Sequence, residues 1–310
     1  MLDSSYLHTV RLLLDVIPDV FADQIFAMKG GTAINLFLRD APRLSVDIDL
    51  VYLPDMESRD AALDGIAAGL KRIADRLEKR GLTARPIRAD SDPESKLLVM
   101  EGRSGIVLKV EVNTVFRGTV LPVKDHQPVS ASVVRQFGIQ AYAPILDPAE
   151  LYAGKLVAAL DRQHPRDLFD VWMLYQHEGI TPALLDCLVV YLAGHNRPTH
   201  EVLGSHDKVL DQVYAEQFVG MTEVEPPPLV LLLEARARLR NDIYAQLTSA
   251  HRHFLLGLSR AEPDWSLLTH PAVQQLPALR WKLQNLASFK NRQPAKCEAQ
   301  SESLRSLLFP

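Results

Sequence analysis

The 310-residue chain predicts an α+β protein: a small mixed sheet flanked by helices, followed by an all-helical C-terminal subdomain. Three observations lead there. Short β-branched and alternating runs are confined to the first half of the chain. From Pro148 onward the apolar residues recur at helical spacing. Breakers such as Pro226-Pro227-Pro228 divide that second half into helix-length pieces.

The elements follow in order. An opening helix covers about 5–16, ahead of a strand at 25–28 and a helix that begins after Gly31. A strand at 46–53 carries two aspartates, and 59–80 reads as a long amphipathic helix. Strands near 82–88, 96–101 and 106–116 complete the sheet. Asp147 caps and Pro148 opens the first of the later helices, at 148–161, 166–178, 181–193, 207–219, 228–258, 264–269 and 277–290. Residues 1–145 form the sheet domain, 146–290 the helical subdomain, and the polar residues 291–310 a loose tail.

Bulk properties narrow the class. With 47% hydrophobic residues the chain can bury a substantial core, and its longest apolar stretches, such as Leu229 to Leu233, are too short to span a bilayer. The N-terminal Met1-Leu2-Asp3-Ser4-Ser5 lacks the basic start and apolar core of a signal peptide, so a cytoplasmic location is expected, with no membrane partner. Cys187 and Cys297 have no zinc spacing; Cys187 reads as a small core residue and Cys297 as a tail thiol. A net charge of −4 does not favour polyanion binding, but Arg236, Arg238, Arg240, Arg252, Arg260, Arg280, Lys282, Lys290, Arg292 and Lys296 accumulate late, interleaved with Trp281 and Phe289.

The chemistry concentrates between residues 29 and 50. Asp47 and Asp49 alternate with Val46, Ile48 and Leu50, so both carboxylates share one strand face. Such a pair is costly to hold together unless a divalent cation sits between them, and hard oxygen ligands suit Mg²⁺ bridged to phosphate. Upstream, Gly30-Gly31-Thr32 follows an apolar strand and opens a helix, where free backbone N–H groups can meet a phosphate. The chain has no G-x-x-x-x-G-K-[ST] loop and no G-x-G-x-x-G fingerprint, which removes P-loop and dinucleotide-binding readings.

Two further pieces fit this pattern. A two-metal site for in-line transfer needs a third carboxylate, and Glu111 in Val107-Leu108-Lys109-Val110-Glu111-Val112-Asn113 is the candidate, completing a metal set with Asp47 and Asp49. Lys155 lies in a helix otherwise dominated by Ala, Leu and Val and reads as a counter-charge for phosphates rather than a snorkelling surface residue. The next helix opens with Arg166-Asp167-Leu168-Phe169-Asp170, in which Asp167 and Asp170 share a face.

The ordered motifs K-G-G-T-A, R-x-S-x-D-I-D-L, K-V-E-V-N and E-L-x-A-x-K-L followed by R-D-L-F-D-x-W resemble the AbiEii/AbiGii-type nucleotidyltransferases. These are toxins of bacterial toxin–antitoxin and abortive-infection (phage-defence) systems within the polymerase-beta-like superfamily. The resemblance covers roughly residues 20–180. It implies that Gly30, Gly31 and Thr32 match the phosphate-cradling glycine motif, with Lys29 beside them among the nucleotide-binding residues, that Ser45, Asp47 and Asp49 match the metal-binding motif, and that Lys155 matches the triphosphate-contacting lysine. Arg166 and Asp167 count with the nucleotide-binding residues, and Asp170 matches an acidic position required for activity. Threonine stands where the superfamily often has serine, keeping the hydroxyl, and Glu111 is one methylene longer than the usual Asp.

The expected reaction is therefore transfer of a nucleoside monophosphate from an NTP, with two Mg²⁺ ions and release of pyrophosphate. The resemblance implies an RNA acceptor, foremost the 3′ end of tRNA, and a cognate antitoxin encoded nearby. A protein or aminoglycoside-like small-molecule acceptor, or a non-catalytic nucleotide-binding module, are the alternative readings.

Overall fold

The computed structural model describes residues 4–54, 58–89, 92–102, 104–222 and 225–310. They fall into two compact units, Met1–Leu151 with Val219–Pro226, and Tyr152–Phe218 with Pro227–Pro310. The division thus comes six residues later than the sequence suggests, and an eight-residue segment from the helical half belongs to the first unit.

The first unit is built on a seven-stranded mixed sheet. Helix α1 (Ser4–Val20) leads into β1 (Phe26–Lys29), the short helix α2 (Gly30–Thr32) and a π-helical stretch, Ala33–Leu38. Then come β2 (Asp47–Tyr52), α3 (Arg59–Lys79), β3 (Thr83–Ala89), β4 (Asp92–Met100), β5 (Val107–Asn113), β6 (Lys124–Pro128), α4 (Ala131–Phe137) and β7 (Tyr142–Ile145). The strand order is β3-β4-β5-β2-β1-β7-β6, with β2 parallel to β5 and antiparallel to β1. Helix α3 starts where Ser58 caps the Ala61 amide and buries Leu63, Ile66, Leu70, Ile73 and Leu77 along one stripe. Its small Gly65 admits Tyr52 and its Gly69 admits Ile25 and Phe26, since a Cβ at Gly65 would lie 2.3 Å from the Tyr52 hydroxyl and one at Gly69 2.8 Å from Ile25 and 2.9 Å from Phe26. β6, α4 and β7 fall where the sequence predicts no element: Lys-Asp-His-Gln-Pro is an edge strand with no apolar alternation to mark it.

The second unit is helical. It takes up α5 (Pro148–Asp161) from Tyr152 onward, then α6 (Pro165–Gln176), α7 (Pro182–Ala193), α8 (Thr199–Leu203), α9 (Asp211–Gln217), α10 (Leu229–Gln246), α11 (Ser249–Ser259), α12 (Pro277–Arg292) and α13 (Pro294–Leu308). Two expectations are corrected. The helix expected over 228–258 is two helices, because Thr248 and His251 form a capping box that restarts the chain at Ser249. The loose tail expected over 291–310 contains α13, anchored by Cys297, Ser301, Leu304 and Leu308 on one face, so Cys297 is a buried residue and not a tail thiol. No helix among the described residues is long and apolar enough to cross a membrane.

Candidate active site

Asp47 and Asp49 stand on β2 with Ile48 and Leu50 fully buried behind them, as the alternation demands. Sheet register supplies their neighbours. Antiparallel β1 places Lys29 opposite Asp49, and parallel β5 places Glu111 beside Asp49 and Lys109 beside Asp47. With Lys96 of β4 opposite Glu111, the residues Lys96, Glu111, Asp49 and Lys29 form one row across four strands, two adjacent acids flanked by a lysine at each end.

Glu111 is gripped by two ammonium groups, Lys109 at 2.7 Å and Lys96 at 3.0 Å. Burial pushes the Glu111 carboxyl up, but hydrogen bonds and charge from these lysines outweigh it and hold the group below the ordinary carboxylate range. Burial likewise opposes the charge on Lys109, and Glu111, Asp47 and Asp49 together hold its ammonium above its ordinary value. Among the described residues no three His, Cys, Asp or Glu side chains converge as a metal cage. The neighbouring carboxylates of Asp47 and Asp49 are hard oxygen donors, a chemistry that fits a cation such as Mg²⁺. Glu111, the expected third carboxylate, stands beside Asp49 in the sheet register and is ion-paired with both lysines.

The glycine turn packs directly against this shelf. Gly30 has φ +75°, and a Cβ there would lie 2.3 Å from Asp49 Oδ2, so both backbone conformation and space require glycine. Thr32 is fully buried and donates to the Asp47 carbonyl at 2.5 Å. Its oxygen also lies 2.9 Å from Ser45 Oγ; with one proton per hydroxyl, Ser45 is then the donor in that contact. Asn35 Nδ2 donates to the Gly31 carbonyl at 2.9 Å, closing the turn from its helical side. Thr32 and Ser45 thus lock the turn to β2. Of the residues expected to bind nucleotide, Gly30 and Gly31 supply turn backbone, and Thr32 and Ser45 supply hydroxyls that fix it.

Lys155, Asp167 and Asp170 gather in the second unit, between α5 and α6. Lys155 Nζ lies 2.9 Å from Asp167 Oδ1 and 2.8 Å from Asp170 Oδ2, all three side chains being at least nine-tenths buried. Arg162 reaches Asp167 at 3.0 Å from the surface side. Burial drives the Asp167 carboxyl up and Asp170 adds to it, yet Lys155 and Arg162 hold it below the ordinary range. Arg166 is half-buried, and its amide donates to His164 Nδ1, which caps α6. Sequence reasoning passed over Arg162, whose role depends on the helix turn that ends α5.

The late basic residues do not make one continuous track. Arg236 is buried on Gln163, the Lys208 carbonyl and Asp207. Arg252 donates to the carbonyls of Leu247, Tyr244 and Leu308. Lys282 donates to the carbonyls of His195, Asn196 and Arg197, and burial lowers its ammonium to about 8. Arg280, Arg292 and Lys296 remain exposed.

A family model described as nucleotidyl transferase AbiEii toxin, type IV toxin–antitoxin system, matches residues 11–285. Among solved structures, MenT4, a nucleotidyltransferase toxin from Mycobacterium tuberculosis H37Rv, superposes with a TM-score of 0.56 at 17% identity, covering 95% of this chain and 93% of that one. This likeness establishes the shared fold. No curated protein matches the chain in sequence.

Proposed function

The chain belongs to the AbiEii nucleotidyltransferase toxin family of type IV toxin–antitoxin systems, and from that premise we propose that it transfers a nucleoside monophosphate from an NTP to the 3′ end of tRNA in the cytoplasm. The observation that carries the reading is the direct packing of the Gly30–Gly31 turn on Asp49, with Asp47 anchored to the same turn through Thr32. A triphosphate seated on the turn's amides brings its α-phosphate to the two carboxylates.

Asp47 and Asp49 are the residues that would hold Mg²⁺, two ions in the full assembly. The ions when bound neutralise phosphate charge and lower the pKa of the attacking hydroxyl. The remaining work falls to side chains and backbone. The turn's amides orient the triphosphate, and Thr32 and Ser45 keep those amides fixed while charge builds in the transition state. Lys109 and Lys96 keep Glu111 ionised beside Asp49, where it can accept the proton of the incoming hydroxyl. Lys155 and Asp170 are assigned to the reaction through their match to the family's lysine and acidic positions.

The family implies an antitoxin partner, which we place in a neighbouring gene. The acceptor is tested by incubating the protein with Mg²⁺, total tRNA and each α-labelled NTP in turn. Label on the tRNA band is expected, with one NTP preferred. Label on protein, with none on RNA, would instead establish protein nucleotidylation.

A further inference from the structure

The glycine turn is packed by two charged side chains, Asp49 at Gly30 and Arg43 at Gly31, and the second has been given no role above. Arg43 is 3% exposed. A Cβ at Gly31 would lie 2.7 Å from Arg43 Nη2, 3.1 Å from Ser45 Oγ and 3.6 Å from Arg43 Cζ, so the guanidinium fills the space a side chain at 31 would need. Gly30 and Gly31 are therefore glycines for different reasons, the first because of Asp49 and the second because of Arg43.

The segment that carries Arg43 is fixed on three sides within the first unit. Arg43 Nη1 donates to the Leu44 carbonyl at 3.0 Å. Ser45 is tied to Thr32. The Leu44 amide donates to the Met221 carbonyl at 2.7 Å, and both Met221 and its neighbour Thr222 are buried. Met221 thus braces the loop that presents the guanidinium.

We propose that Arg43 is a positioning residue of the triphosphate site: its planar guanidinium sets the Gly30–Gly31 turn against Asp49 and adds a fixed positive charge behind the amides that meet the phosphates. The proposal rests on the NTP-dependent reading above and extends it to a residue that acts through the turn. The charge sits in a water-poor position, where its field on a nearby anion is weakly screened. Its benefit should scale with phosphate charge, so a triphosphate gains much more than a monophosphate.

The test compares binding of an NTP and of the corresponding nucleoside monophosphate by calorimetry, in wild type, Arg43→Lys, Arg43→Gln, Gly31→Ala and the Arg43→Gln/Gly31→Ala double variant. Arg43→Gln is expected to weaken NTP binding roughly 10- to 100-fold while changing monophosphate binding by less than about twofold. Arg43→Lys should retain part of the NTP affinity, and it carries the test by itself if the Gln variant fails to fold. Gly31→Ala should add little to Arg43→Gln, because both act on the same contact. Equal losses for both nucleotides, no loss for either, or additive losses in the double variant would overturn the proposal. Wild-type protein that binds no NTP would refute the NTP-dependent reading itself, a result distinct from wild-type affinity surviving in the Arg43 variants.

Discussion

Replacing Asp49 by alanine is expected to reduce nucleotide transfer roughly a thousandfold or more, since a pre-placed charge contributes to the transition state far more than to the ground state. The fold should persist. Asp49 is half-buried, its apolar neighbours Ile48 and Leu50 supply the strand's packing, and its removal leaves the Glu111 pairs with Lys96 and Lys109 in place. Thermal unfolding should therefore stay within about 2 °C of wild type. A labelled-NTP assay beside a melting curve checks both halves: full activity in Asp49→Ala would remove the carboxylate pair from the chemistry, and a collapsed melting curve would make its role structural. The same substitution should relieve the growth arrest expected on expression of the wild-type toxin.

Replacing Lys155 by methionine is expected to act in the opposite sense, on stability first. The substitution removes the ammonium between Asp167 and Asp170 and leaves two deeply buried carboxyl groups repelling each other, which typically costs about 3–5 kcal/mol. Arg162 still reaches Asp167 but from a largely exposed position. In wild type the Asp167 carboxyl lies below its ordinary 3.8. Its contribution to stability is therefore complete above that value and is lost as pH falls through the folded-state pKa. In the variant the carboxyls rise above their unfolded values, so the penalty is largest at neutral pH and shrinks as acid protonates them. Urea denaturation at pH 7 and pH 5 measures this directly. The stability gap between wild type and Lys155→Met should narrow at the lower pH, and adding Asp170→Asn should recover part of the loss. A gap that is small and independent of pH would mean that the cluster does not stabilise the second unit.

Much of the architecture is legible in the residues because local pattern and tertiary environment agree. The alternation through Asp47 and Asp49 places the carboxylates on one face, and the Asp147-Pro148 start gives α5 its observed bounds. Where the sequence misleads, a long-range effect decides. β6 is polar throughout because an edge strand needs no buried face. Helix α13 looks like a tail by composition, yet Cys297, Ser301, Leu304 and Leu308 recur at helical spacing and mark its buried side.

The site shows the same division. That Glu111 belongs beside Asp49 follows from strand register, and so does its capture by Lys96 and Lys109, which lie 15 and 2 positions away in sequence. Arg43 is visible in the R-x-S-x-D-I-D-L run, but only the folded loop turns it onto Gly31. The basic residues after 235 suggested a nucleic-acid track, whereas Arg236, Arg252 and Lys282 are occupied with carbonyl groups, a use of cations that composition cannot distinguish from phosphate binding.

The most direct measurement is a pair of reactions with wild-type protein, Mg²⁺ and total tRNA, one with α-labelled and one with γ-labelled NTP, with pyrophosphate quantified in both. The proposed attack at the α-phosphate predicts label on the acceptor from the α position alone, with one pyrophosphate released per nucleotide added. Label transferred from the γ position, or NTP consumed without pyrophosphate, would contradict it.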